Sequence, residues 1–182
     1  MMKAIFPEEY QAIDEQIVAP KGRLGLKQYL QKKPKKWGVK IWVRAGVSGY
    51  MYRFEIYQGS GVEGEVISDL GACAVWIILR LSDDIGFCNH KIFFDNLFCS
   101  IPLLEILKKK QIWATGTIRS NRLEGAELIL HSNEIMKKKG RGSTCVASTG
   151  CGTATVTKWM DNKPVHVASN CAGSKPENST KR

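Results

Sequence analysis

Two acidic residues, Asp14 and Asp95, carry the most specific chemistry in this sequence. Asp95 ends a short apolar run, Ile92-Phe93-Phe94, that has the length and composition of a buried strand. Alone, an aspartate there reads as a turn or capping residue, because its side chain bonds to its own backbone. A second acid, in Tyr10-Gln11-Ala12-Ile13-Asp14-Glu15-Gln16, changes the weighing. Carboxylates on adjacent strands, about 4.8 Å apart, repel one another unless a cation lies between them. Oxygen ligands suit Mg²⁺ or Mn²⁺. Such a pair can hold two metals about 3.5–4 Å apart and activate water or a 3′-hydroxyl for in-line attack on a phosphodiester.

The surrounding elements must position those acids. Residues 10 to 14 read as a short strand. Lys21-Gly22-Arg23-Leu24-Gly25-Leu26 reads as a basic, glycine-containing loop. Lys32, Lys33, Lys35 and Lys36 crowd around Pro34, a pattern equally open to a solvated loop, a phosphate contact or a nuclear-import signal. Val39, Ile41, Val43 and Ala45 then alternate with Lys40, Trp42 and Arg44. After Gly46-Val47-Ser48-Gly49, Tyr50, Tyr52, Phe54 and Ile56 alternate with Met51, Arg53, Glu55 and Tyr57. Two period-2 runs around a glycine-bounded turn spell an antiparallel hairpin.

Val66 to Leu81 is apolar enough for a buried helix, although Gly71 weakens it. Beyond Asp95, Ser100 is placed to cap a helix with Pro102 in its first turn. Leu103, Leu104, Ile106 and Leu107 would form its buried face, and Lys108, Lys109 and Lys110 would sit at its carboxyl end. Ile112 to Ile118 reads as a strand leading into Arg119-Ser120-Asn121-Arg122. Further on, Lys137 to Ser143 is basic and glycine-punctuated. Thr153 to Trp159 and Pro164 to Ser169 suggest a hairpin around Asp161-Asn162-Lys163, and Gly173 to Arg182 suggests a disordered tail. The tryptophans read as core or interface packing rather than base-stacking platforms.

With the first strand central, between the hairpin and the Asp95 strand, these elements make a mixed α/β sheet. Asp14 and Asp95 then become neighbours at its carboxyl rim, the arrangement of the ribonuclease-H-like fold. The 182 residues suit one domain with an appended piece. The net charge of +10 favours a polyanion, nucleic acid before an anionic membrane surface. The longest apolar run, Ala72 to Leu79, stops at Arg80, far short of the roughly 20 residues that span a bilayer. The amino terminus lacks a secretory signal. Its absence favours reduced cysteines over a Cys145–Cys151 bond, and without a CxxC pair a zinc site is poorly supported.

At this point the residues resemble a known family. Ile13-Asp14-Glu15-Gln16, Lys21-Gly22-Arg23 and Gln28 to Lys40 are similar to the start of the catalytic domain of piggyBac-type transposases. Phe93 to Leu103, Gly116 to Arg122 and Trp159 to Val165 continue the resemblance, which covers residues 6 to 173 in order. It implies a partial ribonuclease-H-like core over 6–122, the start of a β-rich insertion over 123–173 and a tail over 174–182. It also implies a nuclear enzyme that cuts and joins DNA with divalent metal through three aspartates. Asp14 matches the first and Asp95 the second. The family's third lies in a Gly-Gly-Val-Asp type motif that does not occur here, and Asp161 falls in a hairpin turn instead. The expectation is therefore weak or absent Mg²⁺ or Mn²⁺ binding, lost strand cleavage, and a homodimer only through regions outside this sequence. Lys32, Lys33, Lys35, Lys36, Arg119 and Arg122 are the expected DNA contacts. The alternative is a non-catalytic nuclear module that binds DNA or protein.

Overall fold

The computed structural model describes residues 6–22, 24–30, 36–58, 70–150 and 152–173. Lys32, Lys33, Lys35, Cys151 and the tail from residue 174 lie outside that set, as do residues 66–69 of the expected helix. The strands are β1 (Tyr10–Val18), β2 (Gln28–Tyr29), β3 (Trp37–Gly46), β4 (Met51–Ile56), β5 (Lys91–Phe94), β6 (Trp113–Thr117), β7 (Thr144–Ser148), β8 (Thr155–Met160) and β9 (Pro164–Ser169). The helices are α1 (Leu70–Leu81), α2 (Ile101–Lys109) and α3 (Asn133–Lys139).

The nine strands of the described residues join one sheet in the order β2-β3-β1-β5-β6-β9-β8-β7, with β4 also on β3. β1 runs antiparallel to β3 and parallel to β5, and β5 runs parallel to β6. The first strand is central, as its expected place requires, and the sheet is mixed. β1 is longer than expected. Past Asp14 it stays paired with β3 through Val18↔Val39, with Lys40 Nζ 2.8 Å from Glu15 Oε2 across the pair.

One face of the sheet is covered. Ile13, Trp42, Ile92, Phe94, Ala114, Val156 and Ala168 from the strands pack with Ile77, Ile78 and Leu81 of α1 and with Leu103, Leu104 and Leu107 of α2. Each leucine of α2 is fully buried, contributing about 2 kcal/mol. Ile101 completes that buried face, and Ile106, expected there, is only half-buried, since it falls at the margin of the stripe. Ser100 caps α2 through the Leu103 N–H (3.4 Å). The opposite face carries Tyr10, Phe54, Ile56 and Phe93, all substantially exposed.

The hairpin of β3 and β4 forms, but the side of β3 turned to the core is the mixed one. Trp42 and Arg44 are buried, while Val39, Val43 and Ala45 are half-buried on the open face. Arg44 is fully buried with both terminal nitrogens of its guanidinium engaged, while Nε has no hydrogen-bond partner among the described residues. It donates to Gln11 Oε1 (2.7 Å) and to both oxygens of Asp84 (2.8 and 2.6 Å). Burial pushes the guanidinium below its ordinary value, and the adjoining Asp84 opposes that. At the other end of the hairpin, Glu8 accepts from the Ser48 hydroxyl, the Ser48 N–H and the Tyr52 hydroxyl. Gly46 leaves room for that carboxylate, since a Cβ would sit 2.7 Å from the Glu8 carboxyl carbon and would displace the Glu8 side chain.

Three elements had no clear signature in the sequence: β2, α3 and β7. Lys137 to Lys139 are the last turn of α3, capped by Ser132, and β7 extends the sheet beyond β8. The Thr155–Met160 and Pro164–Ser169 hairpin forms, with its ends paired Met160↔Pro164. Among the tryptophans, Trp42 is in the core, but Trp37 (58% exposed) and Trp76 (52%) are not, because their side chains fall on uncovered surfaces. No helix among the described residues is long and apolar enough to cross a membrane.

The Arg44 network yields an asymmetric mutational outcome. Asp84→Ala leaves a buried cation without its acid and is expected to lower stability by about 3 kcal/mol, whereas Arg44→Met should cost roughly 1 kcal/mol or less. Urea denaturation with unchanged slope measures both, and equal losses would show that the unpaired charge is not what matters.

Candidate functional site

β1 and β5 pair in parallel as Tyr10↔Lys91, Gln11↔Ile92, Ala12↔Phe93 and Ile13↔Phe94. Asp14 is the next residue of β1, and Asp95 is the first residue beyond the end of β5. They therefore stand side by side, about 4.8 Å apart at the backbone, and both are exposed on the face away from the helices. The pairing is clamped at its start. Lys91 N–H donates to the Glu9 carbonyl (2.7 Å), and its ammonium contacts Glu9 Oε1 (2.6 Å) and the Tyr10 hydroxyl (2.9 Å). Glu9 and then Tyr10 hold that ammonium above its ordinary value. Tyr10 and Phe93 stack on the same face at 6.4 Å.

Each aspartate is held through one oxygen. Asp95 Oδ1 accepts the Asn96 N–H (2.5 Å) and the Thr117 hydroxyl (3.1 Å). Asp14 Oδ1 accepts the Glu15 N–H (2.7 Å). Among the described residues neither Oδ2 has a protein partner, so the pair offers two outward carboxylate oxygens. Hard oxygen donors of this kind fit Mg²⁺ or Mn²⁺. They fit it incompletely, because no third His, Cys, Asp or Glu joins them among the described residues.

The loop after Asp95 is fixed from below. Arg122 Nη1 donates to the carbonyls of Asn96 (3.3 Å), Leu97 (3.0 Å) and Cys99 (3.4 Å), and Arg119 Nε donates to Asn96 Oδ1 (3.1 Å). Arg122 is thus half-buried and engaged, whereas Arg119 is exposed beside the acid. Gly116 permits the close fit of β6 on β5, since a Cβ there would lie 2.7 Å from the Phe94 carbonyl oxygen. Burial pushes the Cys99 thiol up to about 12, with Arg122 opposing.

A groove of about 700 Å³ opens beside Asp95, lined by Asn96, Thr117, Arg119, Asn121 and His166 among others. Lys36 is exposed but does not join it. It precedes Trp37, and the strand from Val43, level with Asp14, back to Trp37 covers roughly 20 Å. The sequence did not single out Thr117 or the two-sided role of Asn96. The parallel pair Phe94↔Gly116 carries that information, because it sets Thr117 opposite Asp95.

With this geometry in view, the chain is similar to known proteins along its whole length. A family model described as Transposase IS4 matches residues 1–182. PiggyBac transposable element-derived protein 2 of Homo sapiens is 34% identical over 176 residues, 96% of this chain and 29% of that protein. PiggyBac transposable element-derived protein 3 of Homo sapiens is 34% identical over 178 residues, with the same coverage of each. The structure of a piggyBac transposase synaptic complex with hairpin DNA superimposes with a TM-score of 0.76 at 26% identity, covering 95% of this chain and 35% of that one. The chain spans less than a third of the length of the curated relatives it matches.

The Arg122 clamp has a chemical readout. Maleimide mapped by mass spectrometry should label exposed Cys88 and Cys171 in the native protein and spare Cys99. Arg122→Ala, which removes charge-assisted bonds of about 1.5–3 kcal/mol, should open the 96–99 loop and expose Cys99 to the reagent. Continued protection of Cys99 would show that packing alone closes the loop.

Proposed function

Because the chain belongs to the piggyBac-type transposase family, we propose that it is the part of a metal-dependent DNA transposase, or of a protein derived from one, that assembles two catalytic carboxylates. Asp14 and Asp95 are the metal-holding and catalytic pair. The observation that carries this reading is the parallel β1–β5 register, which sets the two acids side by side with one oxygen of each left over. A divalent cation bound there supplies Lewis-acid polarisation of a phosphodiester. The chain's own residues do the positioning. Asn96 N–H and the Thr117 hydroxyl hold Asp95 by one oxygen, and Arg122 keeps the loop beneath in place.

DNA is the partner that the charge of +10 favours, and the site is a nuclear one on this reading. Arg119 lies on the wall of the groove to meet a phosphate. Lys36 is a contact more distant from the acids, and Lys32, Lys33 and Lys35, which lie outside the described residues, are assigned to DNA from the sequence alone. Arg122 contributes to DNA contact mainly through the loop it holds. Residues 6–122 form the partial core, 123–173 the beginning of a β-rich insertion, and 174–182 a tail. A homodimer would form through regions outside these residues.

Two carboxylates provide too few anionic ligands for a two-metal centre. These residues by themselves therefore bind one Mg²⁺ or Mn²⁺ weakly and cut DNA poorly. The same shortage favours the second reading, a module that contacts DNA without cutting it.

Mn²⁺ titration and nicking of supercoiled DNA test the assignment. The expected result is DNA retention at low salt, little nicking, and an Asp95→Asn variant with Mn²⁺ affinity reduced about tenfold, or 1.4 kcal/mol, at unchanged urea midpoint. Unchanged Mn²⁺ affinity in that variant would remove Asp95 from the site. Strong nicking abolished by Asp95→Asn would overturn the inactivity of this stretch.

A further inference from the structure

A buried lysine and a histidine lie beside a cavity next to the groove, on residues with no part in the aspartate pair. Lys158 on β8 and His166 on β9 are directly opposite each other in the antiparallel hairpin. Lys158 is only 6% exposed. Its ammonium donates to the His131 carbonyl (2.6 Å), leaving two of its three donors without a protein acceptor among the described residues. It has no carboxylate partner within ion-pair distance among those residues. His131 in turn meets the Lys139 ammonium through Nδ1 (3.1 Å). Burial, and then the adjacent Lys158, hold the His166 imidazole below its ordinary value.

A cavity of about 260 Å³ opens at these groups, lined also by His131, Ser120, Asn133 and Glu127. That is far larger than the roughly 30 Å³ share of one water. A buried ammonium is stable when an anion or a set of hydrogen-bond acceptors matches it, and one carbonyl leaves that match incomplete. The acid on the wall, Glu127, is exposed and accepts the Gly125 N–H (3.0 Å). The lining is mixed, with Leu123 and Leu130 beside the Ser120 and Ser132 hydroxyls, the Asn133 amide, the His166 imidazole and the Lys158 ammonium, and a tetrahedral oxyanion is the ligand that such a set of donors around one ammonium matches.

We propose that this cavity is a phosphate-class oxyanion site held by Lys158 and His166. Ser120, Asn133 and His166 line both this cavity and the groove beside Asp95, so the two spaces adjoin. The oxyanion is either a free phosphate or a phosphodiester of a strand that continues along that groove. The second source rests on the DNA reading above, and the first does not.

Two ligands separate these sources. Inorganic phosphate should bind the wild-type protein and Lys158→Arg, and should bind Lys158→Met about tenfold more weakly. Glu127→Gln, an exposed change that spares the fold, should tighten phosphate binding about threefold by removing a like charge. It keeps the test decisive if Lys158→Met does not fold. A single-stranded oligonucleotide that displaces phosphate, and whose log–log salt slope falls by about 1 in Lys158→Met, identifies the strand as the source. Phosphate binding with no displacement identifies the free ion and still supports the site. Equal phosphate affinity in wild type and Lys158→Met, or unchanged or weaker binding in Glu127→Gln, overturns it. Asp95→Asn should leave phosphate binding intact, so failure of the metal site and failure of this one are distinguishable.

Discussion

The parallel pairing of β1 with β5 is the constraint on which the rest of the molecule depends. Parallel neighbours cannot be joined by a tight turn, so the chain must leave β1, build the β3–β4 hairpin and α1, and return before β5 can dock. Once Ile13 is set against Phe94, no freedom is left for Asp14 and Asp95. A slip of one residue would turn one acid into the helix-covered face, where an unpaired carboxylate is costly. Burial of Ile13, Ile92 and Phe94 on that face, and the Lys91 contacts to Glu9 and Tyr10, oppose such a slip.

The two faces of the sheet divide the work. The covered face holds a single apolar cluster with the Arg44–Asp84–Gln11 group at its edge, which ties β3 to β1 and to the turn after α1. The open face carries the two acids among exposed aromatic and aliphatic side chains. Rigid support therefore lies on one side, and accessible chemistry on the other. On the reading proposed here, a strand reaching the acids also meets Arg119 and then the space beside His166, without any rearrangement of the core.

Local pattern was legible wherever it had one physical cause. Ser100 with Pro102 and the leucines behind them could only begin a helix, and α2 forms there. The alternation on either side of Gly46 to Gly49 could only be a hairpin, and it forms. What alternation could not reveal is which side of β3 is buried. Val39, Val43 and Ala45 form the more apolar row, yet Arg44 goes inside because Asp84, remote in sequence, neutralises it. In the same way, α3 was hidden because Lys137 to Lys139 have no apolar periodicity of their own, and only Met136 of that helix is buried.

The sequence by itself determined that one acid lies in the first strand and another follows the Ile92–Phe94 run, that the chain is basic, and that its motifs are those of a transposase family, because those facts reside in residue types and short spacings; that Asp14 sits inside a longer β1 and not at its end was set by pairing with β3. Tertiary structure alone decided that Thr117 and Asn96 hold Asp95 and that Arg122 is bound into a loop rather than free for a ligand. It alone placed the Lys158 and His166 pair beside a cavity. The Asp95 and Arg122 relations and the cavity come from strand order and long-range packing, which no local run of residues encodes, whereas the Lys158–His166 pairing follows from the hairpin register.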